Sequence, residues 1–163
     1  MLSEKMVKKL NEHIGLEFYS SNLYLQMSAW CSYKGFEGAA MFLEKHSREE
    51  MLHMNKLFKY VSETGEMPVI GKIKEAPSEF KSLKNIFEKI LEHEIFITKA
   101  INALVDTALT TKDFSTFNFL QWYVAEQHED EKIFRSILDK LAMFDDKSPF
   151  FVDKELARMA VSQ

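Results

Sequence analysis

The sequence predicts an all-α fold: a four-helix bundle with one long crossover loop and a short fifth helix at the C-terminal end. Apolar residues recur at helical spacing through four long segments. The chain has only 5 glycines and 3 prolines, and half of them lie between residues 65 and 77. Long helices interrupted at one place are therefore favoured over many short strands.

Composition and charge exclude several classes of protein. The 46% hydrophobic content is typical of a globular chain, and no apolar run approaches the roughly 18 residues of a transmembrane helix. No basic segment followed by an apolar one indicates a secretory signal. Acidic residues outnumber basic ones by 25 to 21 without a basic stripe, so nucleic acid is not an expected partner. The single cysteine, Cys31, suits a reducing compartment, and we expect a cytoplasmic protein.

The first two predicted helices form a hairpin. The first spans about residues 4–34, begins after Ser3 as its N-cap, and ends where Gly35 breaks the pattern. The second spans about residues 37–64 and ends at Gly65, a residue suited to a helix C-terminus. Because the turn between them is short, the two helices are expected to be antiparallel.

The stretch from residue 65 to 82 has no helical period and is predicted to be the crossover loop. Fully extended, it could reach roughly 55 Å, whereas a long helix of this bundle measures roughly 42 Å. The loop can therefore travel the whole bundle. The third helix would then start parallel to the second.

The second predicted hairpin joins a third helix over residues 83–110 to a fourth over residues 113–143. A short fifth helix is predicted over residues 149–160, where Ser148 would cap it and Pro149 would take the first helical position. On this interpretation residues 1–163 form one domain.

Each of the four apolar stripes is interrupted near its midpoint by polar side chains that commonly bind metals. Glu50 and His53 are three residues apart, which places them one turn apart on one helix face. Such a pair can hold one metal ion, but alone it is a common surface pattern. The full set of interrupting residues is Glu17, Glu50 with His53, Glu94, and Gln127 with Asp130.

The spacing of these residues is duplicated. Thirty-three positions separate Glu17 from Glu50 and also Glu94 from Gln127. The chain thus contains two helical hairpins that carry the same polar pattern at one depth. Burying several carboxylates together without compensation is costly or forces protons onto them, and two divalent cations would supply that compensation. Oxygen ligands with a single imidazole favour iron or manganese over a structural zinc site.

The chain resembles the bacterial non-haem ferritins over essentially its whole length, and Glu17, Glu50, His53 and Gln127 lie in the segments that carry the resemblance. The resembling segments are Leu16–Glu17 with Tyr19–Ser21, Trp30–Tyr33, Phe36–Ala40, Glu49–His53, Thr116–Glu129 and Phe151–Leu156. The resemblance implies a ferritin-like bundle and an iron-storing protein that assembles into a hollow cage of 24 subunits. It also implies that each subunit is a ferroxidase, which oxidises Fe²⁺ with dioxygen or peroxide and stores the product as a ferric oxide mineral.

The resemblance further implies which residues would bind iron. For the first iron they are Glu17, Glu50 and His53; for the second they are Glu50 as a bridge, Glu94 and Asp130, with Gln127 close by. A third and weaker iron site would use Glu49, Glu126, Glu129 and Asp130. Tyr24 matches the tyrosine that sits beside the centre in this family.

Asp130 departs from the family pattern, which usually has glutamate at this position. Aspartate is one methylene shorter, so we expect weaker second and third iron sites than in relatives. Position 130 is also not the histidine of bacterioferritin, and no haem is expected. Among the other histidines, His46 is expected to line the bundle or the cavity, and His93 and His128 are expected on the surface.

Other functions remain as alternatives. A non-storage di-iron oxidoreductase of the rubrerythrin or oxygenase kind typically has two Glu-x-x-His motifs, and rubrerythrin adds a pair of cysteines. This chain has one such motif and one cysteine. A DNA-protecting mini-ferritin lacks the fifth helix, and a metal-free helical bundle would leave the buried acids unexplained.

Overall fold

The computed structural model describes residues 2–144 and 148–162, and this part of the chain contains helices and no strands. The helices are α1 (Glu4–Tyr33), α2 (Glu37–Glu63), α3 (Leu83–Thr110), α4 (Phe114–Phe144) and α5 (Phe150–Val161). Each end lies within one residue of the position that the sequence predicts, and the all-α fold class is confirmed. In the described part of the chain, no helix combines the length and apolarity needed to cross a membrane.

Local side-chain chemistry sets most helix ends. The hydroxyls of Ser3 and Ser82 accept backbone N–H groups in the first turns of α1 and α3, at 3.2 and 3.0 Å. Asp113 does the same for α4 at 3.1 Å. Gly35 and Gly65 follow α1 and α2 with φ of 85° and 87°, a backbone conformation that suits glycine.

The predicted N-cap of α5 is wrong. Pro149, rather than Ser148, precedes the first helical residue, and no side chain caps this helix. The Pro149 carbonyl accepts the amide of Asp153 at 3.0 Å, so the helical hydrogen bonds begin there. Ser148 lies one residue before the N-cap position, from which a side chain could accept a free N–H group of the first helical turn.

The two hairpins are antiparallel, and the crossover makes α2 parallel to α3. Side-chain hydrogen bonds within the first hairpin pair Ser21 with Ser47 and Ser28 with Ala40, so later positions on α1 meet earlier ones on α2. The rings near the start of α2 and the start of α3 pack together, with 6.2 Å between the Phe42 and Phe87 centroids.

The crossover loop, residues 64–82, runs along α1. The Val69 amide donates to the Asn11 side chain at 3.0 Å near one end of that helix. Further along, the Phe80 ring packs edge-on against Trp30, with 6.0 Å between centroids. The loop therefore spans most of the length of the bundle, as its extended reach allows.

The core consists of two apolar clusters separated by a polar layer. One cluster includes Phe42, Phe87 and Phe134, and the other includes Leu10, Leu57, Leu104 and Leu120. Between them every long helix contributes buried polar side chains. These are Glu17, Ser20 and Ser21 on α1, His46, Ser47, Glu50 and His53 on α2, Glu94 on α3, and Gln127 and Asp130 on α4.

Candidate metal centre

Four carboxylates meet in the polar layer, one from each long helix. Glu17, Glu50 and Glu94 are 1%, 3% and 1% exposed, and Asp130 is 8% exposed. Each takes a position of its helix stripe that would otherwise hold an apolar core residue, and for this reason the side chain points inward. Buried carboxylates at this density need cations or protons to be stable.

The first group of candidate ligands contains Glu17, Glu50 and His53. One ligand atom from each lies within 4.8 Å of the other two. The His53 Nδ1 atom is 3.2 Å from Glu50 Oε2 and 3.9 Å from Glu17 Oε2. A single ion placed between these atoms could contact two carboxylate oxygens and one imidazole nitrogen.

The second group contains Glu50, Glu94 and Asp130, whose oxygens also lie within 4.8 Å of one another. Glu50 belongs to both groups, so its carboxylate could bridge two ions. Asp130 belongs to this group in spite of its shorter side chain. Paired metal sites of this kind hold their ions about 3.5–4 Å apart.

Gln127 and Tyr24 hold the Glu94 carboxylate from two sides. The Gln127 Nε2 atom donates to Glu94 Oε2 at 2.8 Å, and the Tyr24 hydroxyl donates to Glu94 Oε1. Both side chains thus lie beside the second group. Hydrogen bonds of this kind can orient a carboxylate toward a metal ion.

The acidic residues of the predicted third iron site lie at the edge of the polar layer. The Glu49 side chain is 42% exposed, with Oε2 3.5 Å from His46 Nδ1, and Glu126 is 40% exposed, with Oε2 3.7 Å from His53 Nε2. Glu129 is exposed. Among the described residues, no group of three or more such side chains with ligand atoms within 4.8 Å of one another includes any of these three.

Burial raises the pKa of three of the four carboxyl groups. The pKa of Glu50 lies well above its usual range because of burial and the adjacent charges of Glu17 and Glu94. Burial also raises the pKa of Glu94 to about 7, against the hydrogen bonds from Tyr24 and Gln127. The pKa of Asp130 rises to about 8 through burial and the charge of Glu94. In the absence of metal these groups hold protons near neutral pH.

Glu17 behaves in the opposite way. Burial would raise the pKa of Glu17, but the hydrogen bond and charge of His13, together with the hydrogen bond to Glu50 and the charge of His53, lower it. The contact joins His13 Nε2 to Glu17 Oε1 at 2.7 Å. Glu17 is therefore the ionised member of the layer before any metal binds.

Some contacts around the layer do not follow from the sequence predictions. His93, predicted on the surface, is half-buried between α1 and α3, where its Nε2 atom lies 2.7 Å from the Ser20 hydroxyl. The Tyr123 hydroxyl donates to the His53 carbonyl at 2.7 Å, and no sequence signal indicated this contact. His46 is buried beside the layer and His128 is exposed, as predicted.

The arrangement of the helices and of the buried polar layer indicates the class of protein. A bundle of four long helices with one crossover, whose buried layer offers a carboxylate from every helix and one imidazole, is the architecture of di-metal carboxylate proteins. The ferritin-like domain family matches residues 7–144, and the chain belongs to that family.

Relatives extend the likeness over nearly the whole chain. A probable bacterial non-heme ferritin-like protein of Haemophilus influenzae is 57% identical over 162 residues, which cover 98% of each chain. The bacterial non-heme ferritin of Escherichia coli O157:H7 is 51% identical over 161 residues, again 98% of each chain. An open pore ferritin from the hyperthermophilic archaeon Archaeoglobus fulgidus has a TM-score of 0.95 at 41% identity, covering 99% of this chain and 98% of that one.

Proposed function

We propose that the protein is an iron-storage ferritin with ferroxidase activity. Each subunit oxidises Fe²⁺ to Fe³⁺ with dioxygen or peroxide, and a cage of identical subunits stores the product as a ferric oxide mineral. The observation that carries this proposal is the pair of ligand groups that share buried Glu50. Two ions held that close can each give up one electron to the same oxidant.

Two sets of side chains, which share Glu50, bind the two Fe²⁺ ions. Glu17, Glu50 and His53 bind the first Fe²⁺, and Glu50, Glu94 and Asp130 bind the second. This assignment is supported by the two groups of ligand atoms. Oxygen-rich ligand sets with one imidazole suit iron. No haem takes part in the proposed chemistry.

Protons leave the centre as iron enters. Glu50, Glu94 and Asp130 have raised pKa values in the metal-free protein, so binding of Fe²⁺ displaces protons from them. Tyr24 and Gln127 keep the Glu94 carboxylate in place during this exchange through the two hydrogen bonds that they donate. The ionised Glu17 offers the first attraction for a cation.

The third and weaker iron site lies at the exposed edge of the centre. Glu49, Glu126 and Glu129 form this site together with Asp130. The proposal is supported by the negative charges of Glu126 and Glu49 near Asp130. Together with burial and the charge of Glu94, they raise the pKa of Asp130. We propose that iron passes this edge on its way to the mineral.

Self-assembly completes the function. Apolar side chains are exposed around the end of α4 and the start of α5: Met143 is 80%, Phe144 45%, Phe150 64% and Phe151 61% exposed. A patch of this kind is typical of a surface that another protein covers. We propose a cytoplasmic cage of 24 subunits, which a native mass measurement tests directly.

The experiment for the proposed function combines metal binding with storage. Anaerobic calorimetric titration of the metal-free protein with Fe²⁺ should show two tight sites per subunit and a third, weaker one. Repeated additions of Fe²⁺ in air should then leave far more iron in the particle than these sites can hold. A particle that stays at the stoichiometry of its binding sites would contradict storage.

A further inference from the structure

His13 lies next to the first ligand group but outside it. It is on α1, one turn before Glu17, and it is 3% exposed. Its Nε2 atom is 2.7 Å from Glu17 Oε1. A carboxylate that binds a metal ion can only accept hydrogen bonds, so in the metal-bound protein Nε2 must be the donor in this contact.

The other oxygen of Glu17 has a different environment. Glu17 Oε2 is buried and, within residues 2–144 and 148–162, it is the single fully buried side-chain nitrogen or oxygen atom without a hydrogen-bond partner. It lies 3.9 Å from His53 Nδ1. An unpartnered carboxylate oxygen inside a protein costs free energy, and a cation at this position would remove that cost.

We propose that His13 is a positioning residue for the first iron site. It holds Oε1 of Glu17 by a hydrogen bond, so that Oε2 is the oxygen that faces the ion together with His53. Glu17 thereby binds the ion through one oxygen. This inference rests on the proposed function, because it concerns the same centre.

The surroundings of His13 keep its ring in the required orientation. The ring packs edge-on against Tyr123, with 6.4 Å between centroids and 85° between planes. Tyr123 also packs edge-on against His53, at 6.3 Å and 80°, and donates its hydroxyl to the His53 carbonyl at 2.7 Å. Tyr123 therefore links the positioning residue to the imidazole ligand.

The loss of a group that orients a metal ligand typically lowers metal affinity by about 10–100-fold. His13→Leu removes the donor and keeps an apolar side chain of moderate size in the buried position. His13→Gln keeps an N–H donor on a longer, flexible side chain. His128→Leu makes the same chemical change at an exposed position of α4 and serves as the control.

The test uses Co²⁺, which does not react with dioxygen here and reports its binding by visible absorbance. In a Glu94→Ala background, which retains the first group, His13→Leu should weaken Co²⁺ binding by about 10–100-fold. His13→Gln should recover most of that loss, and His128→Leu should change nothing. In a Glu17→Ala background, His13 has no partner to orient, so His13→Leu should leave binding at the second group unchanged.

Equal Co²⁺ affinity in the His13→Leu and parent proteins would overturn the inference while leaving the proposed function intact. So would an equal loss in both backgrounds without recovery in His13→Gln, because that pattern marks a general packing defect. If His13→Leu does not assemble, His13→Asn, whose amide is too short to reach Glu17, replaces it with the same expectation. A wild-type protein that binds no Co²⁺ or Fe²⁺ would overturn the proposed function as well.

Discussion

Gln127 and Glu94 are joined across the second hairpin by a 2.8 Å hydrogen bond from the amide Nε2 to the carboxylate Oε2. They occupy the positions that Glu50 and Glu17 occupy in the first hairpin, since the same 33-residue spacing separates each pair. The two hairpins thus differ at two points of the polar layer: α2 supplies the Glu50 carboxylate where α4 supplies an amide, and it supplies the His53 imidazole where α4 supplies the Asp130 carboxylate. The second ligand group therefore takes its fourth-helix carboxylate from Asp130, three residues later.

Replacing Gln127 by leucine should weaken the second metal site. Without the amide donor, one oxygen of Glu94 loses the contact that fixes its direction, and we expect about a tenfold to hundredfold loss of Co²⁺ affinity at that site. Titration in a Glu17→Ala background measures the site by itself. Gln121→Leu is the matched control, because Gln121 is an exposed residue of α4 whose amide donates to the Phe117 carbonyl of the same helix at 3.0 Å. Equal losses in the two variants would contradict this role of Gln127.

Lengthening Asp130 to glutamate should strengthen the second and third sites. The Asp130 oxygens come within 4.8 Å of those of Glu50 and Glu94, and one more methylene would bring the carboxylate further over the ion. We expect roughly a tenfold gain in Fe²⁺ affinity at the second site. Anaerobic titration of the metal-free proteins with Fe²⁺ measures these affinities. Undiminished affinity at every site of the Asp130 protein, compared with Asp130→Glu, would refute the prediction.

The stability of the metal-free protein should fall as the pH rises from about 4 to about 8. Burial raises the pKa of Glu94 from 4.5 to about 7 and that of Asp130 from 3.8 to about 8. In this range Glu94, Asp130 and Glu50 keep protons that the unfolded chain has lost, so higher pH favours unfolding. Burial lowers the pKa of His46 and His93 to about 4, and these two groups oppose the trend only below about pH 6.5. The melting temperature should therefore drop by roughly 5 °C or more between pH 5 and pH 8.

Two variants of the experiment check the cause of that pH dependence. Asp130→Asn removes one of the titrating groups and should make the decrease smaller. Saturating Co²⁺ should raise the melting temperature more at pH 8 than at pH 5, because fewer protons have to be displaced. A metal-free protein that becomes more stable between pH 5 and pH 8 would contradict the protonation states assigned to Glu94 and Asp130.

Asp153 should stabilise the packing of α5 on α2. Its carboxylate accepts the amides of Gly38 and Ala39 at 3.2 and 2.8 Å, at an α2 N-terminus that has no side-chain cap of its own. Gly38 permits this approach, because a Cβ there would lie 1.9 Å from the Asp153 carbonyl oxygen. Asp153→Asn removes the charge that favours a helix N-terminus and should cost about 1 kcal/mol.

Hydrogen exchange of the α5 amides measures that loss locally. Exchange should accelerate in α5 and the first turn of α2 of Asp153→Asn, and not in α3. Asp139→Asn, at an exposed position of α4, is the control. Unchanged exchange in α5 would show that its apolar contacts alone hold it in place.

The sequence predicts the helices and the common depth of the polar residues because both depend on local periodicity, whereas the division into two ligand groups is implied by the family resemblance alone. A polar residue in an apolar stripe must face the core, and the repeated 33-residue spacing brings Glu17, Glu50 and Glu94 to one depth. Contacts between distant positions have no such signal. The Asp153–Gly38 contact and the burial of His93 against Ser20 depend on how helices pack, and the local pattern misplaced both the cap of α5 and His93.

The contact of His13 with Glu17 could be predicted from the sequence only in part. Its spacing of four residues from Glu17 is visible in the sequence and places both side chains on one face of α1. The sequence does not reveal which Glu17 oxygen the imidazole holds, or that the other one is left without a partner. The exposure of Glu49, Glu126 and Glu129 likewise follows from side-chain directions at the edge of the polar layer.

We expect iron to be oxidised at the centre whose two candidate ligand groups share Glu50. Aerobic oxidation of Fe²⁺, followed by ultraviolet absorbance, tests it in wild type and in Glu50→Ala, with particle size measured for both. Glu44→Ala is the control, since Glu44 is an exposed residue of the same helix. We expect rapid oxidation in wild type and Glu44→Ala, and a loss of the rapid phase in intact Glu50→Ala particles. Equal rates in wild type and Glu50→Ala would contradict the claim, because the buried carboxylates would then serve the fold or another metal.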